Sequence, residues 1–287
     1  MLTLVVVGAL LVARRLADQA ALPFQSPGVG IVEIQGVITE SDDIVETLKR
    51  FRDSESIAAV VVRVESPGGA VGPAQEIYRA VRKLRESKPV VASLGNLAAS
   101  GGYYVASACH PIVANPGTVT GSIGVIMSVR NVAELVEWAG IRETVIKSVP
   151  YKDMANPLRA LTPEEQAILQ RMVDDVHAQF VSAVAVGRGM PEATVRDVAD
   201  GRLYSGNQAL SAGLVDELGG FEEAVAIAAR AAGVEGEPRT IRARPGRRFW
   251  WTEWIGGVLG IDTRGWMATR LPDGLQFLYL GRDLELR

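Results

Sequence analysis

The chain has 287 residues, 48% of them hydrophobic and 22% charged, which is material for one large domain or two modest ones and excludes a disordered chain. A formal net charge of -3 excludes a nucleic-acid binder that works through bulk positive charge. One cysteine and two histidines exclude a disulfide framework, a cysteine-rich zinc site and a multi-histidine metal centre, so any catalysis must lean little on imidazole.

The chain opens on an apolar run, residues 2–13, closed by Arg14-Arg15. At about 1.5 Å per helical residue it falls short of the roughly 30 Å hydrocarbon core of a bilayer. Three readings stay open: the remainder of a membrane anchor that begins upstream, a short signal-like segment, or a buried helix. The arginines complicate the first, because basic residues after such a run favour a cytoplasmic side for the chain beyond them.

From Gly30 onward strands and helices alternate. Residues 31–38 read as a strand, and Ser41 or Asp42 caps a helix with Ile44, Leu48 and Phe51 on one face. The run 57–64 is β-branched and apolar on both faces, as a central parallel strand would be. Ser66-Pro67-Gly68-Gly69 turns into a helix over 72–85, and 89–94 is the next strand, followed by a turn over 95–100. A short helix over 103–108, short strands over 111–114 and near 123–127, a helix over 131–138 and an extended stretch over 144–146 come next. Thr162-Pro163-Glu164-Glu165 is a helix start, after which Ile168, Leu169, Met172, Val173, Val176 and Phe180 make a long apolar face. Helices over 192–199 and 221–232 finish the region, and the repeated βα crossovers predict a right-handed, layered α/β domain over 28–234.

Residues 235–287 read as a basic, Trp-rich extension of helical and extended pieces. Arg239, Arg242, Arg244, Arg247 and Arg248 precede Phe249, Trp250, Trp251 and Trp254, and Trp250, Trp254, Val258 and Ile261 share a helical face. That pattern suits an interfacial helix on a membrane or, equally, a helix packed in a subunit interface.

The chemistry sits in two strand-to-helix turns, Glu65-Ser66-Pro67-Gly68-Gly69 and Asn96-Leu97-Ala98-Ala99-Ser100-Gly101-Gly102. Free N–H groups at a helix start receive negative charge. Neither turn carries a phosphate-loop pattern or a lysine, which disfavours a nucleotide site. The alternative is acyl transfer by Ser100, with small neighbours leaving room for a carbonyl; alone, a serine before two glycines is more often a simple cap. A base must then be found among His110, His177 and a lysine. Adjacent residues of an extended segment face opposite ways, so Cys109 and His110 do not meet, and Cys109 reads as a small buried hydrophobe. Lys152, in Val149-Pro150-Tyr151-Lys152-Asp153-Met154, is the lysine candidate, against the plain reading of a solvated surface side chain.

Taken together, these segments resemble the signal peptide peptidase A family of Ser–Lys membrane serine proteases, within the Clp protease/crotonase fold group. The resemblance runs from Gly30 to Val234 and rests on Asn96–Ala106 (NLAASGGYYVA) and Asn115–Met127 (NPGTVTGSIGVIM). Tyr151-Lys152-Asp153, Gly187-Arg188-Gly189-Met190, Asp200-Gly201-Arg202 and Leu214-Val215-Asp216-Glu217 come after them in order. It implies Ser100 as nucleophile, Lys152 as general base, Ser122 as the hydroxyl that orients the lysine, and N–H groups of Gly69 and Gly101 as the oxyanion hole, with Gly68 the weaker choice. Val125 stands where a Clp-type histidine would fall, and Glu65 replaces the asparagine usual in the family before Ser-Pro-Gly-Gly. A lysine base must be neutral near pH 7, which takes its pKa down by about 3 units through burial against apolar surface.

By the same resemblance the protein is expected to hydrolyse apolar peptides such as residual signal peptides. It is expected at the cell membrane with its active site on the extracytoplasmic side, in a homo-oligomeric ring, with no metal, nucleotide or other cofactor and no nucleic-acid partner. The tail 271–280 (LPDGLQFLYL) is apolar and extended enough to lie in a neighbour's peptide groove.

Overall fold

The β-branched run is the centre of a sheet. In the computed structural model, which describes residues 27–242 and the backbone of 276–278, β1 (Gly28–Gln35) and β2 (Ile57–Ser66) run parallel. A short β3 (Gly68–Ala70) comes after β2, and β4 (Val90–Ala99) lies parallel on the other side of β2. Side chains alternate across β2: Val60, Val62 and Val64 enter one core and Ala59 and Val61 the other, all fully buried. Each such valine contributes about 1.5–3 kcal/mol on burial, which is why this strand reads as apolar on both faces.

The first core is roofed by α1 (Asp42–Asp53), α2 (Val71–Arg85), α3 (Gly101–Ala106) and the second half of a long helix, Pro163–Arg188. The other face is covered by a single helix near the end of the domain. Between them β4 pairs β5 (Ile112–Ala114) along Ala92–Leu94 and then β6 (Val119–Gly121) along Leu97–Ala99. Beyond β6 come α4 (Ala133–Trp138), a 3-10 turn (Pro150–Asp153), the long helix α5 (Pro163–Arg188) and α6 (Glu192–Val198). The chain then forms β7 (Leu203–Ser205), α7 (Gly206–Ser211), β8 (Glu217–Leu218), α8 (Phe221–Ala231) and β9 (Thr240–Arg242). The eight-stranded sheet has the order β7-β6-β4-β2-β1-β9, with β5 on β4 and β8 on β5; only β7 runs antiparallel to its neighbour. Mostly parallel βα units, with α8 on one face and α1, α2, α3 and α5 on the other, make the expected layered, Clp protease/crotonase-like α/β fold.

The structure corrects several local expectations. Ser41 stands at the N-cap of α1 with its carbonyl accepting from Val45 N, but its hydroxyl makes no cap bond and goes to Glu76 of α2 instead. The turn expected over 95–100 is strand as far as Ala99, because β6 supplies a new partner there. The strand expected near 123–127 lies earlier, at β6, while Ile123 drops into the core. The capping box at Thr162 and Glu165 forms as predicted, with Glu165 N donating to Thr162 Oγ1 at 3.2 Å and Thr162 N to Glu165 Oε2 at 2.9 Å. The apolar face of α5 divides: Val176 and Phe180 are buried, whereas Met172 is exposed. β9, beyond the boundary at 234, joins the edge of the sheet beside β1.

No residue between Gly124 and Glu164 is buried. That arm exposes Leu135, Trp138, Ile141, Val145, Ile146, Val149 and Tyr151. No helix among the described residues is long and apolar enough to cross a membrane. The apolar run 2–13 and the aromatic helix expected after 248 lie outside the described residues.

Candidate active site

Ser100 joins β4 to α3 with φ 53° and ψ -118°, a backbone conformation that costs a non-glycine residue about 1–3 kcal/mol. Surrounding contacts hold it there. Its N–H donates to Gly121 O and its carbonyl accepts from Tyr104 N, both at 2.8 Å. α3 is anchored by the fully buried Tyr103, whose hydroxyl donates to Leu214 O at 2.8 Å, and by Tyr104, edge-on to Phe180 at 4.9 Å. A strained serine between a strand and a helix presents its side chain away from both, as nucleophile elbows do.

Ser122 also has positive φ, 51°, and its N–H donates to Arg202 O at 2.8 Å. The two serines line one cavity of about 330 Å³ with Ile123, Val173, His177 and Gly201. β6 brings them together: its register sets Ala99 opposite Gly121, so the residue after each strand end is a serine. Ser100 is 1% exposed and Ser122 9%, so both serines are largely withdrawn from solvent, in a cavity whose wall also carries Asp174 and Asp200.

The two glycine turns adjoin. A Cβ on Gly102 would lie 2.8 Å from Ser66 O, so only glycine lets α3 come this close to the end of β2. Ser66 Oγ accepts the N–H of Gly68 at 3.1 Å, which removes that donor from consideration. Ile38 takes the carbonyl of Gly68 and the N–H of Ala70, each at 2.8 Å, so the N–H and C=O of Gly69 face the opposite edge of β3. β10 (Gln276–Leu278) pairs antiparallel on that edge, with Phe277 opposite Gly69. The tail strand thus lies on β3 of its own chain, whereas a neighbour's groove was expected. Gly101, the first residue of α3, adjoins Ser100 with its N–H at the helix start.

Lys152 is not brought to this cavity. It is exposed on the 3-10 turn of the arm, and no lysine lines the pocket of Ser100. The turn is braced from below. Arg159 Nε donates to Asp153 Oδ2 at 3.0 Å and Arg159 Nη1 to Glu165 Oε2 at 2.7 Å, while Lys147 Nζ donates to Asp153 Oδ1 at 2.6 Å. The Arg159 guanidinium holds the Glu165 carboxyl at about 2 and, with Lys147, puts Asp153 well below the usual carboxylate range. Lys152 is therefore carried on a turn tied to the start of α5, with its side chain in solvent.

The histidines fall differently. His110 lies 3.6 Å from Asp216, which Arg188 grips through both carboxylate oxygens at 2.8 and 2.6 Å; this cluster is outside the serine cavity. Cys109 is buried, and burial pushes its thiol up to about 12. His177 does line the cavity, and its Nε2 is buried with no hydrogen-bond partner among the described residues. Its wall position comes from the helical spacing of Val173 and His177, a signal present in sequence but legible only once the face was known to be a pocket wall.

Residues 82–235 match Peptidase family S49. A Synechocystis sp. protein named as a protease, slr0021, is 47% identical over 206 residues, covering 71% of this chain and 74% of its own. The chloroplastic serine protease SPPA of Arabidopsis thaliana is 32% identical over 281 residues, 91% of this chain and 40% of that protein. An Enterococcus faecium protein named for signal peptide peptidase SppA is 38% identical over 179 residues, 62% of this chain and 52% of that one. The chain thus spans three quarters of the first relative and about half or less of the other two. On this match the chain belongs to peptidase family S49, whose members named here are proteases, and it is a serine peptidase.

Proposed function

We propose that the protein is a membrane-associated endopeptidase in which Ser100 attacks the scissile carbonyl, Lys152 is the general base and Ser122 orients the lysine amine. The observation that carries this reading is the strained Ser100 sharing one cavity with Ser122, with the glycine turn at Gly69 adjoining and β10 paired on its outer edge. A substrate strand that takes the place of β10 on β3, pairing antiparallel as it does, sets its carbonyl against Ser100. The oxyanion is then held by the N–H groups of Gly69 and Gly101. The lysine takes the serine proton, returns it to the leaving amine, and later activates the water that releases the acyl group. The substrate class is apolar peptide, residual signal peptides among them. Ile123, Val125 and Val173 give the cavity an apolar side for such a peptide, while Asp174, His177 and Asp200 line the rest.

Lys152 reaches a serine only through the arm. The exposed apolar side chains of that arm fit a second copy of this chain, so a homo-oligomeric ring supplies the lysine of one protomer to the serine of the next. Buried there, the amine meets the apolar surroundings a lysine base needs. The reading sets the domain at the membrane, on its extracytoplasmic side, and the tail strand on β3 as a self-docked peptide. The test is labelling with a fluorophosphonate together with peptide hydrolysis. Wild type is labelled and active, Ser100→Ala is neither, and Lys152→Ala keeps its fold and loses hydrolysis. A Lys152→Ala protein that cleaves at the wild-type rate overturns the base.

A further inference from the structure

Glu65 stands at the joint between the two halves of the site. β2 and β4 pair residue for residue up to Val64 opposite Leu94, and the next pair is Ser66 opposite Ala98. Glu65 alone therefore faces Gly95, Asn96 and Leu97, and the N–H groups of Asn96 and Leu97 have no strand partner on β2. Its carboxylate fills the gap: Asn96 N donates to Oε2 at 2.8 Å and Leu97 N to Oε1 at 3.0 Å. The close approach needs glycine at 95, where a Cβ would lie 1.8 Å from Oε2. At this bulge β4 leaves β5 and takes up β6, the strand that leads directly into Ser122. Thr118 Oγ1 fastens the same bulge from the β6 side by donating to Gly95 O at 2.7 Å. On the other flank Glu65 O accepts from Gly36 N at 2.9 Å, and Ser66, next in chain, holds the N–H of Gly68.

We infer that Glu65 is a positioning residue for the nucleophile, its carboxylate locking the bulge of β4 so that Ser100, Ser122 and the Gly69 edge keep one geometry. This rests on the serine-nucleophile reading under the proposed function. An ionised carboxylate offers acceptors on both oxygens and no donor, which matches two parallel N–H groups; an amide of the same length brings its own N–H₂ against one of them. A loosened bulge shifts Ser100, three residues beyond Leu97, along the axis that aims it at the carbonyl.

The experiment uses the full chain and compares fluorophosphonate labelling rate, kcat and KM for wild type, E65Q, E65D and G95A, with folding followed by circular dichroism. Displacing a reacting group by a fraction of an ångström to 1 Å costs about tenfold to a hundredfold in rate. E65Q and G95A are each expected to lose that much in labelling rate and kcat, with KM within about twofold of wild type. The double variant is expected to be no slower than G95A, since both act on one contact. E65D keeps both acceptors on a shorter stem and is expected to fold and to recover part of the rate, which guards against E65Q simply unfolding. Labelling of E65Q within twofold of wild type overturns the role, as does a loss confined to KM, or E65D no faster than E65Q. S100A separates the two readings. If S100A is still labelled, the nucleophile assignment falls; if it is silent while E65Q labels at the wild-type rate, only the positioning role falls.

Discussion

Lys152 lies in solvent and Ser100 in a cavity that no lysine lines, so the two halves of the proposed dyad are separable by mixing subunits. Ser100→Ala and Lys152→Ala proteins are each expected to be inactive, but assembled together they can rebuild sites if the arm serves a neighbour. A competent site then needs a serine from a Lys152→Ala subunit and a lysine from a Ser100→Ala subunit. In a cyclic assembly with random one-to-one mixing, each condition holds at half of the interfaces, so about one quarter of wild-type activity returns. If the arm folds back on its own chain, every subunit lacks one group and nothing returns. The arm favours the first outcome, since Trp138 is 85% exposed and Ile146 is 96% exposed, surface that a closed interface would bury. The assay is hydrolysis of a fluorogenic apolar peptide by subunits mixed under dissociating conditions and reassembled, with native mass spectrometry verifying mixed oligomers. Activity at the background of the two parents, in oligomers proven to be mixed, refutes a lysine supplied in trans.

Acid should loosen the arm at its base. Glu165, ordinarily at 4.5, is held at about 2 by Arg159, so its contribution is fully present above about pH 4.5 and is lost as pH falls toward 2. Amide protection over 150–159, corrected for intrinsic exchange, is expected to hold from neutral pH to about 4.5 and to decline below it. Arg159→Ala should lack that protection already at pH 7, and unchanged protection in this variant would contradict the bracing role. Phe180→Ala removes a fully buried ring that meets Tyr104 edge-on, and is expected to cost about 3–5 kcal/mol in denaturant unfolding. A loss below about 1 kcal/mol would show that α5 does not hold α3 in place.

The amino-acid order alone determined the alternation of strands and helices, because the β-branched apolar run of β2 and the capping box at Thr162 are local signals. It also marked Ser100 and the two glycine turns, since small residues at a strand-to-helix junction are needed wherever backbones approach closely. What only the tertiary structure decided depends on contacts distant in sequence. The partner change of β4 extends that strand to Ala99 and brings Ser122 beside Ser100; it depends on β6, which no periodicity of residues 89–100 encodes. The engagement of the Gly68 N–H comes from Ser66 Oγ, the direction of the Gly69 N–H from the Ile38 backbone, and the pocket wall at His177 from how α5 lies on the sheet. For Lys152 the residues left a solvated side chain as the plain reading, and the fold places it in solvent. Its neighbours Val149 and Tyr151 stand in solvent as well, because the arm leaves the core after Ile123 and returns only along α5. Apolarity is a property of a residue, whereas burial requires a partner surface, and for this arm no part of the described chain provides one.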